Sequence, residues 1–334
     1  MSTINNNSIF NDTSVDMLAP VLRTISFWIF TILIIPSIPC YLYIFFQCIH
    51  KGMLRKHIRI HTVFAVVICS FLQVISELPT ILSYLRTNLV PIQLDFFCKF
   101  WACQDYSFNV MILMLMGFTA IERYLLVFHN QFLQQHLFVL HYMPIIFCII
   151  YPIGLYTYLI FFYPCINQFT YTMITCGGPC YFYQTTISIL DEFIDLVLPV
   201  AVSSLASLAL LSRVLWQKHY MQQRQMWKKN RRLVIQLLYI VILYNIVWLP
   251  MIICSSIMLF SPVPQPFLVE LSINILPYGI YIVILLCPFV SLMSLPELWP
   301  RHDPMIIPLA RTGNSSRPIV PLRITDAIFS PGTI

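Results

Sequence analysis

Three consecutive polar residues, Glu122, Arg123 and Tyr124, close a long apolar run in which Asp105 is the only charged residue after Lys99. Charged side chains inside or at the edge of a membrane helix are costly, and they are usually paired and usually functional. Neighbouring residues of opposite charge at the mouth of such a helix could hold each other. We therefore expect a Glu122–Arg123 ion pair that acts as a lock, which some event must open.

Carboxylates inside the apolar runs suggest a binding site for positive charge, and four of them face burial: Glu77, Asp105, Asp191 and Asp195. Asp191 and Asp195 are four residues apart and would share one face of a helix. Asp105 lies seven residues after Cys98, which places it about 10 Å further into the bundle. A cationic ligand would keep such an acid ionised and gain a charge-assisted hydrogen bond. The alternative is a protonated or internally hydrogen-bonded acid that stabilises the bundle; we favour the ligand-facing role for Asp105.

The elements that position these residues must be membrane helices. Of the 334 residues, 59% are hydrophobic and 10% are charged, whereas soluble domains carry about 25% charged residues. A helix needs roughly 20 apolar residues to cross a bilayer, and seven runs qualify: about 24–48, 61–85, 97–121, 138–162, 186–212, 233–260 and 270–295. The composition predicts an all-α membrane protein, a seven-transmembrane helix bundle. It argues against a soluble helical core, which would need charged outer faces.

The basic residues predict the orientation of the bundle. With the N-terminus outside, sixteen of the nineteen Lys and Arg residues fall on the cytoplasmic side, as the positive-inside rule requires. Residues 1–23 then form an extracellular tail, residues 24–295 the seven-transmembrane domain and residues 296–334 a cytoplasmic tail. Asn6 and Asn11 fit the glycosylation acceptor pattern. We expect no cleavable signal peptide and a multi-pass protein of the plasma membrane.

Charge separates across the membrane in this orientation. The net charge of +6 describes the cytoplasmic side and not a nucleic-acid binder. The segment from Trp216 to Arg232 is strongly basic, and it could dock an intracellular partner or contact the anionic lipid of the inner leaflet. The outer half has three basic residues against nine acids: Asp12, Asp16, Glu77, Asp95, Asp105, Asp191, Glu192, Asp195 and Glu270.

Several motifs together resemble the rhodopsin-like (class A) G-protein-coupled receptors. The Glu-Arg-Tyr triplet closes the third of the seven runs. The sixth run contains Trp248 and Pro250, with Tyr244 one turn earlier, which looks like the Trp-x-Pro element of that family. Pro199 and Pro288 fall within the fifth and seventh runs, where they would kink their helices. The similarity covers nearly the whole of the seven-run segment.

The resemblance implies a cell-surface receptor that binds an extracellular ligand and activates a heterotrimeric G protein. It implies no enzymatic activity, no cofactor and no metal, with arrestin and a receptor kinase as further partners. In amine receptors of this family an Asp occupies the Asp105 position, so we expect a cationic amine or a basic peptide. The ligand would contact Asp105, Asp191, Asp195 and Trp248. Activation would use Glu122, Arg123, Tyr124, Tyr244, Trp248, Pro250 and Pro288.

The resemblance also implies a disulfide from the top of the third helix to the loop between the fourth and fifth helices. Cys98 holds the matching position, twenty-five residues before Arg123, or about 37 Å along a helix. The loop contains three cysteines, Cys165, Cys176 and Cys180. Spacing does not decide whether Cys176 or Cys180 is the partner of Cys98, and the remaining two could form a second bridge.

Other marks of the family are missing. Ser70 stands where the second helix usually has an Asp, and the fifth helix lacks a Tyr expected near Ser207. The seventh helix has Cys287 and Ser291 at the ends of the five-residue segment where the family shows Asn-Pro-x-x-Tyr. These departures indicate a divergent member and leave the usual route of activation open.

A seven-helix transporter or channel is the alternative function. Transporters often contain paired repeats, and we find no repeat that relates the first three runs to the last three or four. An enzyme would need a compact set of His, Asp or Ser on facing helices, so that function is the weakest of the three. We expect no metal cluster within the bilayer, because all eight histidines fall on the cytoplasmic side: His50, His57, His61, His129, His136, His141, His219 and His302.

Overall fold

The computed structural model of the chain describes residues 6–52, 58–220, 224–261, 267–268 and 271–294. Within these residues there are helices and no strand, and seven helices are long and apolar enough to cross a membrane. This architecture is typical of a multi-pass membrane protein, and the predicted seven-helix arrangement is confirmed. The seven spans, numbered in chain order, are Pro20–His50, His61–Thr87, Asp95–Leu126, Phe138–Phe162, Thr185–Arg213, Leu238–Phe260 and Leu276–Met293.

The spans are built mainly from α-helices, several of which continue into π-helical turns. The described α-helices are Asn6–His50, His61–Ser76, Leu78–Thr87, Asp95–Phe128, Asn130–Gln135, Met143–Thr157, Thr185–Asp191, Leu198–Tyr220, Arg224–Phe260 and Leu276–Ser294. The π-helical segments are Phe138–Tyr142, Tyr158–Phe162, Glu192–Val197 and Leu271–Ile275, and short 3-10 turns cover Ile58–Ile60, Ile174–Gly177 and Cys180–Tyr183. Such π turns are rare and often lie at functional sites.

Two segments expected outside regular structure are helical. Residues 6–19 of the expected outer tail belong to the helix Asn6–His50. The basic segment 216–232 is largely helical too, because the helices Leu198–Tyr220 and Arg224–Phe260 extend into it from both sides. Neither segment contains Gly or Pro, the residues that most disfavour a helix. The expected C-terminal tail, residues 296–334, lies outside the described residues.

The third span occupies the centre of the bundle. It packs against the second, fourth and fifth spans, while the seventh span contacts the first, second and sixth and so closes the bundle. Gly117 permits the close approach of the third and fifth spans, since a side chain there would meet the carbonyl oxygen of Pro199 at 3.3 Å. Large apolar side chains of the first span, such as Trp28 and Ile32, are exposed, as expected for a surface that faces lipid.

The proline of the seventh span has its lost hydrogen bond replaced. Pro288 has no N–H to donate to the carbonyl of Ile284, four residues earlier. The hydroxyl of Tyr41 donates to that carbonyl at 2.7 Å, and Tyr41 is fully buried. A kinked membrane helix is tolerated when a neighbouring helix satisfies the freed carbonyl, so Tyr41 joins the first span to the seventh at this point.

Candidate functional site

Two disulfides tie the loop between the fourth and fifth spans at the end of the bundle that carries Cys98, here called the Cys98 end. Cys98 bonds Cys176, which is 78 residues away in sequence, and both are fully buried. Cys165 bonds Cys180, 15 residues away. The partner of Cys98 is therefore Cys176, and Cys180 belongs to the second bridge of the same loop.

The backbone around Cys176 is unusual and explains the two glycines that follow it. Thr175, Cys176, Gly177 and Gly178 all have positive φ angles, of 47°, 57°, 82° and 90°. Only glycine adopts this region freely. Gly177 and Gly178 therefore continue the turn without adding to the backbone strain at Thr175 and Cys176. A side chain at position 178 would also meet the ring of Phe182 at 3.1 Å. The turn places Cys176 where it can reach the third span.

Asp105 belongs to a chain of buried polar side chains between the second, third and seventh spans. Its Oδ1 accepts hydrogen bonds from Asn109 Nδ2 at 3.1 Å and from the Tyr281 hydroxyl at 3.3 Å. Gln73 Nε2 donates both to Asn109 Oδ1 and to Glu77 Oε2, each at 3.0 Å. None of the five residues is more than 9% exposed. We call this set the Asp105 cluster; it contains two carboxylates.

A second acidic cluster lies in the fifth span, at the start of its π-helical segment. Asp191 Oδ1 accepts a hydrogen bond from the Tyr156 hydroxyl of the fourth span at 2.8 Å, and Oδ2 accepts one from Tyr181 of the loop at 3.4 Å. Burial raises the pKa of Tyr181, so its hydroxyl keeps its proton and remains a donor. Asp195 is 2% exposed and lies close enough to Asp191 to interact with it, which agrees with their predicted common face.

One expectation about this second cluster needs correction. Burial was expected for Asp191, but Asp191 is partly exposed and its neighbour Glu192 is buried instead. Glu192 Oε1 accepts hydrogen bonds from Ser255 at 2.5 Å and from Ser256 at 3.4 Å, both in the sixth span. The wider turn of the π-helix changes which side chains point inward.

The sixth span places its aromatic residues in the core. Trp248 is 3% exposed and Tyr244 is 1% exposed, while Pro250 lies on the exposed side of the helix. The Tyr244 hydroxyl forms a 3.2 Å hydrogen bond with the Ser70 hydroxyl of the second span. Trp248 therefore packs as a buried side chain near a proline, an arrangement that fits both simple packing and a movable switch.

At the opposite end of the third span, here called the Glu122 end, the expected ion pair is replaced by another contact. Glu122 Oε1 lies 2.7 Å from His141 Nδ1 of the fourth span, and both side chains are fully buried. His141 Nε2 lies 2.9 Å from His61 Nδ1 of the second span. Within the described residues no contact joins Glu122 to Arg123. Successive residues on a helix do not face each other, so the expectation of a Glu122–Arg123 pair was wrong.

Arg123 and Tyr124 occupy different surroundings at this end. Arg123 is 3% exposed. Tyr124 is half-buried, and the guanidinium of Arg213 from the fifth span lies 5.2 Å from the centres of the Tyr124 and Phe128 rings. Cation–π contacts at such distances are attractive. They hold the third and fifth spans together beside the Glu-Arg-Tyr triplet.

Comparison with known proteins assigns no family: no family model matches the chain, and no curated protein matches it in sequence.

Sequence reasoning missed Gln73, Asn109, Tyr281, Glu192 and His141 as site residues. A signal was present for two of them, because Gln73 precedes Glu77 by four residues and Asn109 follows Asp105 by four, the spacing that makes neighbours on a helix. No comparable signal marks His141, which meets Glu122 only through the packing of two spans. Asn6 and Asn11 lie in the first helix, but their side chains are outside the described part of the chain.

Proposed function

We propose that this chain is a plasma-membrane receptor, similar to the rhodopsin-like G-protein-coupled receptors, that binds a cationic extracellular ligand and activates a heterotrimeric G protein. The observation that carries the proposal is the division of the third span. One end has the disulfide from Cys98 to Cys176 and, seven residues further along the helix, the buried acid Asp105. The other end has the buried Glu122 and Arg123. One continuous helix, Asp95–Phe128, would thus connect the ligand site to the coupling site.

The orientation follows from the same division. The positive-inside count favours an orientation with the Cys98 end outside the cell, and disulfides form and persist in oxidising compartments. Two disulfides at the Cys98 end support this orientation. Glu122 and the basic helical extensions of the fifth and sixth spans would then face the cytoplasm, where a G protein, arrestin and a receptor kinase are available.

The ligand class is inferred from charge. Asp105 and Glu77 are buried together, and the described residues place no Lys, Arg or His side chain in hydrogen-bonding contact with either. A ligand with an ammonium or guanidinium group would compensate this charge and donate hydrogen bonds to carboxylate oxygens. An amine or a basic peptide meets that requirement. The acids Asp191 and Asp195 would meet a second polar or basic group of the ligand across the cavity.

Coupling would proceed through Glu122. In the resting state its carboxylate is held by His141 on the fourth span. Ligand binding at the Cys98 end would shift the third span relative to the fourth, separate this pair and expose Arg123 to the G protein. The proposal assigns no catalytic residue and no enzymatic activity to the chain.

The test is ligand-dependent nucleotide exchange on purified heterotrimeric G proteins with pools of amines and basic peptides. We expect a cationic pool to accelerate exchange, and Asp105→Asn to weaken that response at least tenfold, since truncating a buried hydrogen-bonded charge contact costs about 2–5 kcal/mol. Glu192→Gln is the matched control because it alters another buried acid that contacts the sixth span. A ligand that is neutral or anionic, or one indifferent to Asp105→Asn, would contradict the assignment.

A transporter is the second candidate, and the two acidic clusters favour it specifically. Buried acids in membrane helices often mark ion pathways. Uptake of radioactive sodium or methylammonium into proteoliposomes that contain the purified protein would reveal such transport. The receptor proposal expects no uptake above that of empty liposomes.

A further inference from the structure

A cavity of about 400 Å³ opens beside the last turn of the sixth span, next to the fifth span. It is lined by Ser256, Ile257, Phe260 and Ser261. The ring of Phe193 from the fifth span packs edge-on against Phe260, with the ring centres 6.4 Å apart. Ile257 and Phe260 are both exposed, so the cavity opens toward lipid and not into the core of the bundle. We call it the Ser256 cavity.

A buried carboxyl group reaches the edge of this cavity. Glu192 Oε1 accepts a hydrogen bond from Ser256, which lines the cavity, and another from the preceding Ser255. Both donors are neutral hydroxyl groups, and within the described residues no donor reaches Glu192 Oε2. No described hydrogen bond joins Glu192 to another carboxyl group, so a proton shared between two acids does not account for this oxygen.

The chain has no basic side chain of its own to place against Glu192. The sequence contains no Lys or Arg between Arg123 and Arg213 and none between Arg232 and Arg301, and no described contact brings a base to Glu192 from another span. The end of the sixth helix at Phe260 adds negative character, because the last carbonyl groups of a helix carry a partial negative charge. A positive partner therefore has to come from outside the chain.

The surroundings select a lipid with one chain and one positive charge. An ammonium group would form a charge-assisted hydrogen bond with the Glu192 carboxylate. Ile253, Ile257 and Phe260 are exposed at helical spacing and form an apolar stripe, which runs about 10 Å along the sixth span and can cover one alkyl chain. The phosphate of a two-chain phospholipid would bring a negative charge that finds no base here.

We propose that the Ser256 cavity binds a lipid amine, a single-chain amphiphile whose ammonium group contacts Glu192 and whose chain lies along Ile253 and Ile257. The bound lipid would join the fifth span to the sixth on the lipid-facing surface of the bundle. The site shares no described residue with the Asp105 cluster and takes its ligand from the membrane. It therefore does not depend on the receptor proposal.

The test is photolabelling of the full-length protein in phosphatidylcholine nanodiscs with hexadecylamine that carries a diazirine in its chain. We expect the label on the peptide that contains Ile253, Ile257 and Phe260, and we expect unlabelled hexadecylamine to displace it. Glu192→Gln keeps the shape of the side chain and removes its charge, so displacement should need at least about tenfold more hexadecylamine. Asp95→Asn is the matched control, because it removes an exposed acid at the same end of the bundle, and it should behave as the wild type does.

Competitors of the same chain length separate the head group from the chain, and they need only the wild type if Glu192→Gln does not fold. Hexadecylamine should displace the label at a concentration at least about tenfold lower than hexadecanol or palmitate. Equal displacement by hexadecanol would overturn the proposal and would indicate that Glu192 holds a proton. A label spread evenly over the lipid-facing residues of all seven spans would overturn the site itself. Neither measurement uses a G protein, so its failure leaves the receptor proposal standing.

Discussion

The contact between Glu122 and His141 offers the sharpest test of the Glu122 end. His141→Phe keeps a ring of similar size and removes the group that lies 2.7 Å from the Glu122 carboxylate. Both side chains are fully buried, so the variant leaves a buried carboxylate without its described partner. Breaking a buried pair in this way costs about 3–5 kcal/mol. We therefore expect a large fall in the thermal unfolding midpoint of the purified protein.

A double variant separates lost charge pairing from lost packing. His141→Phe combined with Glu122→Gln removes the orphaned charge, so we expect it to be more stable than His141→Phe alone. The control is His136→Phe, because His136 is exposed and surface substitutions usually change stability by less than about 0.5 kcal/mol. Because the Glu122–His141 contact is proposed to hold the resting state, His141→Phe should also raise ligand-independent nucleotide exchange. A His141→Phe protein as stable as the wild type, or a double variant no more stable than the single one, would refute the reasoning.

Two further predictions concern the frame around the site. Cys98→Ser should sharply reduce surface expression or ligand binding, since a disulfide typically contributes about 2–4 kcal/mol. Mass spectrometry of the unreduced protein should find Cys98 joined to Cys176. A free thiol at Cys98 would contradict this prediction. Tyr41→Phe should cost about 1–3 kcal/mol in unfolding measurements by leaving the Ile284 carbonyl unsatisfied. That cost should shrink in a Pro288→Ala background, where the backbone regains its own donor; an unchanged cost would argue against the Tyr41 contact.

The spans could be predicted because bilayer thickness fixes the length of an apolar helix. All seven predicted runs appear as helices, and their ends differ by six residues or fewer, with the largest difference at the start of the seventh. The helical extensions of the first, fifth and sixth spans were missed, because polar segments without Gly or Pro were read as a tail and a loop. Polarity alone does not end a helix.

Features of the site could be predicted only where they depend on the sequence of a single helix and not on contacts between helices. The burial of Asp105 followed from its position in an apolar run, as did its depth below Cys98. The partner of Glu122 did not, because His141 approaches from another span. The exchange of Glu192 for Asp191 at the buried position depends on a π-helical turn, for which the sequence has no simple marker. The choice of Cys176 over Cys180 likewise depends on a local turn with four positive φ angles.

The most direct test of the receptor account is nucleotide exchange by Arg123→Ala on purified heterotrimeric G proteins, compared with the wild type at equal protein level. The account predicts that the wild type accelerates exchange, that Arg123→Ala abolishes the acceleration and that its ligand binding stays largely intact. Arg86→Ala is the control, because Arg86 is exposed at the end of the second span away from His61, and it should behave as the wild type. Unchanged exchange in Arg123→Ala, or a wild type that accelerates exchange on no G protein, would contradict the account.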